Sequence, residues 1–211
     1  LAILLLWTGC SCCLYFNHFY NTQKYYRKGI YQKELRQDSI STDSIWCTPD
    51  ERKSFNKVLE KGSRIIERWP KEIEYKPEIL FLMGESFWNM GDWAQAITKY
   101  DEYEKYFPEH SNQKTAQYHR AFSLVKLGQN PIARFALTEI LADPKHPYRL
   151  ESLNLLATIE SNSLAPQKAI AALQELLAMP SGSNLLKAKA HYQLAEIYFE
   201  MENWAQARQN Y

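Results

Sequence analysis

The chain of 211 residues sets 25 Lys and Arg against 24 Asp and Glu, a formal net charge of +1. That balance supplies no basic field for a nucleic-acid backbone or an anionic membrane surface. With hydrophobic residues at 45% and 7 glycines, the composition excludes a disordered chain and favours bulky, packed helices.

Leu1 to Trp7 is an unbroken apolar run. It is well short of the ~20 residues a bilayer span needs. Its length is that of the apolar core of a secretory signal. Thr8 and Gly9, both small, then precede Cys10. This resembles a bacterial lipobox, with Trp7 where that motif usually has Leu. The resemblance implies that residues 1–9 are the end of a signal segment whose charged start lies before Leu1. It also implies that Cys10 is lipidated, and several acyl chains give stable membrane attachment. The end of a transmembrane helix running to Tyr15 or Phe16 is the alternative.

Residues 10–36 form an aromatic-rich helix. Tyr15 and Phe19, and Phe16 and Tyr20, stand four apart and share a face. Cys12, Cys13 and Cys47 lack the spacing of a zinc site. A disulfide from Cys47 to Cys12 or Cys13, free thiols, and further acylation all stay open. Residues 37–49 are polar and serine-rich, which predicts a loop. Thr48-Pro49-Asp50-Glu51 is a strong helix start: cap, proline, acid and a reciprocal glutamate. That helix runs to about Trp69, where Pro70 stops it. Within 50–76 it reads as the second helix of a degenerate first repeat, with Val58, Ile65 and Ile66 as its apolar positions.

The rest of the chain repeats itself. Asp92-Trp93-Ala94-Gln95-Ala96 returns as Asn203-Trp204-Ala205-Gln206-Ala207, 111 positions later. That offset is three times 37, so two copies lie between, marked by Ala133 and Ala169. The copies cover about 77–110, 114–147, 150–183 and 188–211, the last breaking off inside a helix, so the repeat number is a lower bound. In the first, Leu80, Gly84, Phe87, Gly91, Ala96, Tyr100 and Pro108 resemble the tetratricopeptide repeat, a helix–turn–helix unit. Asp92 with Gln95, Asn203 with Gln206, Asn130-Pro131 and Pro166 mark helix starts. The resemblance implies an all-α chain, a right-handed α-solenoid. Together with the run from Tyr15, the repeats resemble BamD-like repeat lipoproteins of the bacterial outer membrane, which assist β-barrel assembly from the periplasmic side.

No catalytic pattern stands out. Ser54-Phe55-Asn56-Lys57 matches a serine–lysine signature by letters alone, without its companion motifs. Gly84-Glu85-Ser86 lacks the closing glycine of a nucleophile elbow. His18, His110, His119, His146 and His191 are scattered. The expectation is therefore no enzyme, no metal and no cofactor. In the family resembled, first helices line a concave groove that holds a peptide. Carried over by repeat position, Phe81, Glu85 and Trp88 line it first. Tyr118, Phe122 and Val125 follow, then Asn154 and Thr158, then Tyr192, Glu196 and Phe199. Trp88 and Tyr118 are the strongest binding candidates, while Trp69 and Trp93 read as core. The expected function is a lipid-anchored scaffold on the periplasmic side of the outer membrane. Its partners are other proteins, outer-membrane assembly components among them. A transmembrane-anchored adaptor, or the docking arm of an envelope enzyme that continues beyond Tyr211, are the alternatives.

Overall fold

The computed structural model describes residues 17–36, 46–69, 76–163 and 165–211, with the helical backbone alone of 2–16 and 37–39. Its regular structure is helical throughout the described residues, in ten helices. None of them is long and apolar enough to cross a membrane. The chain divides into two compact units, 1–116 and 117–211.

In the first unit, α1 (Ala2–Ser39), α2 (Pro49–Arg68), α3 (Lys76–Met90) and α4 (Trp93–Tyr106) pack in succession. α1 runs on to Ser39, past the expected loop start at Gln37. α2 opens with a full capping box. Thr48 Oγ1 accepts from the Glu51 N–H at 3.4 Å, and the Thr48 N–H donates to Glu51 Oε2 at 3.0 Å. The helix closes where the Trp69 N–H reaches the Ile65 carbonyl at 2.9 Å. Phe55, Val58 and Ile65 fall on one face and are buried. Each packed pair meets at a glycine. A Cβ on Gly29 would lie 2.7 Å from the Phe55 ring, and one on Gly62 would lie 2.9 Å from Met83 Sδ. A Cβ on Gly84 would lie 2.8 Å from the Tyr100 ring.

The Asp92 side chain does not cap α4, contrary to the sequence expectation. Its carboxylate instead takes the Arg52 guanidinium at 2.9 Å, while Arg52 also donates to the Met90 carbonyl at 2.7 Å. A charge-assisted pair to α2 outcompetes a local cap.

α5 (Gln113–Lys126) begins in the first unit and ends in the second. The second unit continues with α6 (Asn130–Ala142), α7 (Arg149–Asn162), α8 (Pro166–Ala178), α9 (Asn184–Glu200) and α10 (Trp204–Asn210). α9 starts four residues ahead of Ala188. Leu153, Ala157, Ala169, Leu173, Leu176, Ala190 and Leu194 form its core, the alanines allowing close helix approach. Arg134 of α6 donates to Glu160 Oε1 of α7 at 2.5 Å. Asn203 does cap α10, accepting from the Gln206 N–H at 3.3 Å. Asn130 is already helical, so the cap position falls to Gln129, whose side chain makes no capping bond.

One turn recurs. The Asp92 N–H reaches back to the Phe87 carbonyl at 2.9 Å, Gln129 to Leu124 at 3.0 Å, Ala165 to Glu160 at 3.0 Å and Asn203 to Tyr198 at 2.9 Å. This five-residue reach is the Schellman closure of a helix. It needs a left-handed residue, filled by Gly91 (φ 78°), Gly128 (φ 70°) and Glu202 (φ 58°). The repetition in sequence is thus a repetition of one helix–turn–helix unit.

Candidate functional site

The groove candidates of the first unit sit on successive turns of α3. Phe81 is half-buried, tilted against Tyr103 at 5.7 Å between ring centroids. With Gln23, Tyr26, Arg27, Glu78 and Asn112 it lines an opening of about 270 Å³. Glu85 differs. It is 6% exposed, and its carboxylate accepts from the Tyr100 hydroxyl at 2.6 Å and the Tyr26 hydroxyl at 3.2 Å. It joins α1, α3 and α4 instead of facing an open groove.

Trp88 is also engaged. Its ring stands edge-on to Trp46 at 5.5 Å and to Trp93 at 6.4 Å, and Trp46 and Trp93 meet at 4.9 Å. Trp46 Nε1 donates to the Trp88 carbonyl at 3.0 Å. The Lys33 ammonium lies 4.7 Å from the Trp46 ring and 5.5 Å from the Trp88 ring, and donates to Asn89 Oδ1 at 3.1 Å. Burial holds Lys33 below the ordinary lysine range, with Cys47 and Glu51 working against it. Sequence reasoning missed Trp46, whose only signal was a large aromatic inside a polar stretch. Trp93 is part of this cluster, and Trp69 tilts against His18 at 5.9 Å.

In the second unit, Tyr118 stacks face to face on Tyr148, with centroids 4.6 Å apart and planes 1° apart. Burial raises the Tyr118 hydroxyl above the ordinary tyrosine value, and Glu151 and Tyr148 add to the effect. Phe122, one turn on, lies 6.4 Å from Tyr118 and holds the Lys126 ammonium at 5.3 Å. Val125 is half-buried. Tyr192 is 58% exposed and Phe199 53% exposed. Tyr192 meets Tyr211 edge-on at 6.0 Å, and Phe199 meets Trp204 edge-on at 5.0 Å. Glu196 accepts from the Tyr211 hydroxyl.

Between α7 and α9 the structure brings two candidates together. Thr158 and Glu196 line an opening of about 190 Å³ with Ala157, Gln193, Ile197 and Glu200. Gln193 Nε2 donates to Thr158 Oγ1 at 3.2 Å. Asn154, one turn before Thr158, is half-buried, and its backbone carbonyl accepts from the Thr158 hydroxyl at 3.0 Å. The lining is amide, hydroxyl, carboxylate and aliphatic, which suits recognition.

The lipidation candidate Cys10 falls, with Cys12 and Cys13, where side chains lie outside the described residues. Cys47 is a free thiol whose pKa burial pushes up, Glu51 adding to the effect. Among the described residues no group of three His, Cys, Asp or Glu is placed to hold a metal ion.

The tetratricopeptide repeat family profile matches residues 78–110 and 189–211. The fold is similar to MamA 41-end from Desulfovibrio magneticus RS-1, with a TM-score of 0.62 at 22% identity over 90% of each chain. It is also similar to the nearly identical TPR-like repeats of a putative kinesin light chain from Podosopora anserina. There the TM-score is 0.60 at 14% identity, over 92% of this chain and 90% of that one. A tetratricopeptide repeat protein from Parabacteroides merdae ATCC 43184 matches with a TM-score of 0.54 at 14% identity, over 89% of this chain and 77% of that one. No curated protein matches in sequence. At these identities the likeness is one of fold, and it is the all-helical tetratricopeptide-type fold read from the sequence.

Proposed function

From the tetratricopeptide repeats that this chain carries, we infer a protein-interaction scaffold without catalysis of its own. The observation that carries the reading is the side-chain lining on first helices of the repeats. In the second unit α7 and α9 present an opening of amide, hydroxyl and carboxylate groups over an aliphatic floor. In the first, Phe81 lies at the edge of another. Small concavities of this kind, beside aromatic side chains, recognise the side chains of an extended segment.

We further propose that the scaffold works in the bacterial envelope, lipid-anchored through Cys10 on the periplasmic side of the outer membrane, within a complex that assembles outer-membrane proteins. The apolar run ending in Thr8-Gly9-Cys10 and the resemblance to BamD-like repeat lipoproteins support this. In-cell crosslinking of the tagged full-length protein tests it. Outer-membrane assembly proteins should be captured. Capture of another envelope machine would remove the assembly role, and capture of no protein would remove the scaffold reading. Cys10→Ser should move the protein out of the membrane fraction. Unchanged partition and processing would exclude the lipid anchor.

A further inference from the structure

We propose that the opening between α7 and α9 is a socket for one basic side chain, Lys or Arg, of a partner's extended segment. The proposal rests on the scaffold reading above and names the chemistry one of its sites selects.

Size comes first. At about 190 Å³ the opening is smaller than the ~300–1,000 Å³ of sites that enclose a small molecule. It suits a single side chain. Its floor is apolar, since Ala157, Leu173 and Ile197 are all buried. Such a floor accommodates the aliphatic stem of Lys or Arg while the charged head stays at a polar rim.

The rim fixes the sign. A hydroxyl has one hydrogen to donate, and Thr158 gives its own to the Asn154 carbonyl at 3.0 Å. Thr158 Oγ1 can therefore only accept from Gln193, so Gln193 must turn its Nε2 toward Thr158, at 3.2 Å. That leaves Gln193 Oε1 as the remaining amide atom. It is shielded from solvent, and among the described residues it accepts no hydrogen bond. A shielded acceptor without a donor is costly, so this atom favours a ligand that brings one.

Charge completes the selection. Glu196 and Glu200 stand one helical turn apart at the same opening. Glu196 takes the Tyr211 hydroxyl on Oε1, and neither carboxylate has a Lys or Arg ion-pair partner among the described residues. A neutral amide would satisfy the Gln193 acceptor and leave the carboxylates uncompensated. An acidic side chain would be repelled by both. Ammonium and guanidinium groups meet every requirement.

The test is selection of random peptides displayed on phage against the immobilised full chain. Peptides should converge on Lys or Arg at one fixed position, with about tenfold weaker binding when that residue is replaced by norleucine. In the double variant Gln193→Leu with Glu196→Gln the preference should vanish. Glu200 is exposed, so Glu200→Lys leaves the core intact and serves as the second variant. It should abolish selection of basic residues by placing an ammonium at the mouth. Peptides enriched without a basic position, or a basic preference unchanged in both variants, would overturn the socket and leave the scaffold reading standing. Failure to enrich any peptide would overturn both.

Discussion

The Tyr100 hydroxyl donates a 2.6 Å hydrogen bond to Glu85 Oε1 across the α3–α4 contact, with both residues removed from solvent. Tyr26 of α1 donates to the other carboxylate oxygen at 3.2 Å. One carboxylate therefore ties three helices. Hydrogen bonds to a charged group contribute ~1.5–3 kcal/mol. Tyr100→Phe should lower unfolding stability by about that amount in a denaturant titration. Glu85→Gln, which keeps an acceptor, should cost less than Glu85→Ala. Equal losses in the two Glu85 variants would show that the hydroxyls are not held by the carboxylate.

Gly84 and Gly128 are both glycines of necessity, for different reasons. At Gly84 a Cβ would press on the Tyr100 ring at 2.8 Å. At Gly128 a Cβ meets nothing within 4 Å, but φ is 70°. Gly84→Ala should cost about 1–3 kcal/mol through overpacking. Gly128→Ala should cost about 1–2 kcal/mol through backbone strain alone. The combination Gly84→Ala with Tyr100→Leu distinguishes them, because trimming the ring should recover part of the Gly84 loss. Recovery of nothing would place the Gly84 penalty in the backbone as well.

These two glycines also mark what the sequence made legible. Gly91, which the sequence shows as a repeat position, and Gly128 both stand where a left-handed residue closes a helix. Glu202 fills the same conformational role at φ 58° without a glycine to announce it. Some positions take their roles from distant partners. Asp92 looks like a cap until Arg52, 40 positions away, takes its carboxylate. Glu85 looks like a groove residue until Tyr26, 59 positions away, donates to it. Repeat position says which way a side chain faces. It does not say what another helix has placed there. The amide orientation at Gln193 belongs to the same class, since it depends on Thr158, 35 positions away.

Trp46 comes from the segment before α2 and lands on α3, so its loss should be felt far from its own position. Trp46→Ala removes two edge-on ring contacts, each worth ~0.5–1.5 kcal/mol beyond area burial. Trp88→Ala should cost more, about 3 kcal/mol, because it is part of the helix face itself. Both variants should shift the remaining tryptophan emission to the red as water reaches Trp93. A Trp88→Ala chain with unchanged melting would favour Trp88 as a binding residue over a packing one.

Glu51 couples the start of α2 to pH. Burial alone would raise its carboxyl, but the Arg36 hydrogen bond at 2.8 Å and the Thr48 N–H outweigh it, holding the group below the ordinary 4.5. A depressed carboxyl stabilises the fold above its unfolded value, and that stability is lost as pH falls through the folded one. Acid titration should therefore reveal a loss of stability beginning near pH 4.5 and deepening below it. Glu51→Gln should be less stable at neutral pH and should flatten this step. A step of unchanged size in the variant would assign it to other carboxylates.

Two tyrosines, Tyr103 and the half-buried Tyr118, bear on the opposite end of the pH scale. Tyr118 lies flat on Tyr148, and burial with the nearby Glu151 holds its hydroxyl above the ordinary value of 10.0. Tyr103 is pushed up to about 12 by burial and by Glu78. A raised folded value means that the proton is held more tightly in the native state. The stability it contributes is fully present below pH 10 and is lost as pH rises through the folded value. Tyr118→Phe keeps the stacked ring and removes the ionisable proton. Its alkaline unfolding midpoint should move upward, with the neutral-pH melting temperature changing little. Absorbance at the phenolate band should show one fewer late-titrating tyrosine. If the midpoint stays where it is and the late phase keeps its amplitude, Tyr118 is open to solvent, and the stacked pair with Tyr148 is a surface available to partners.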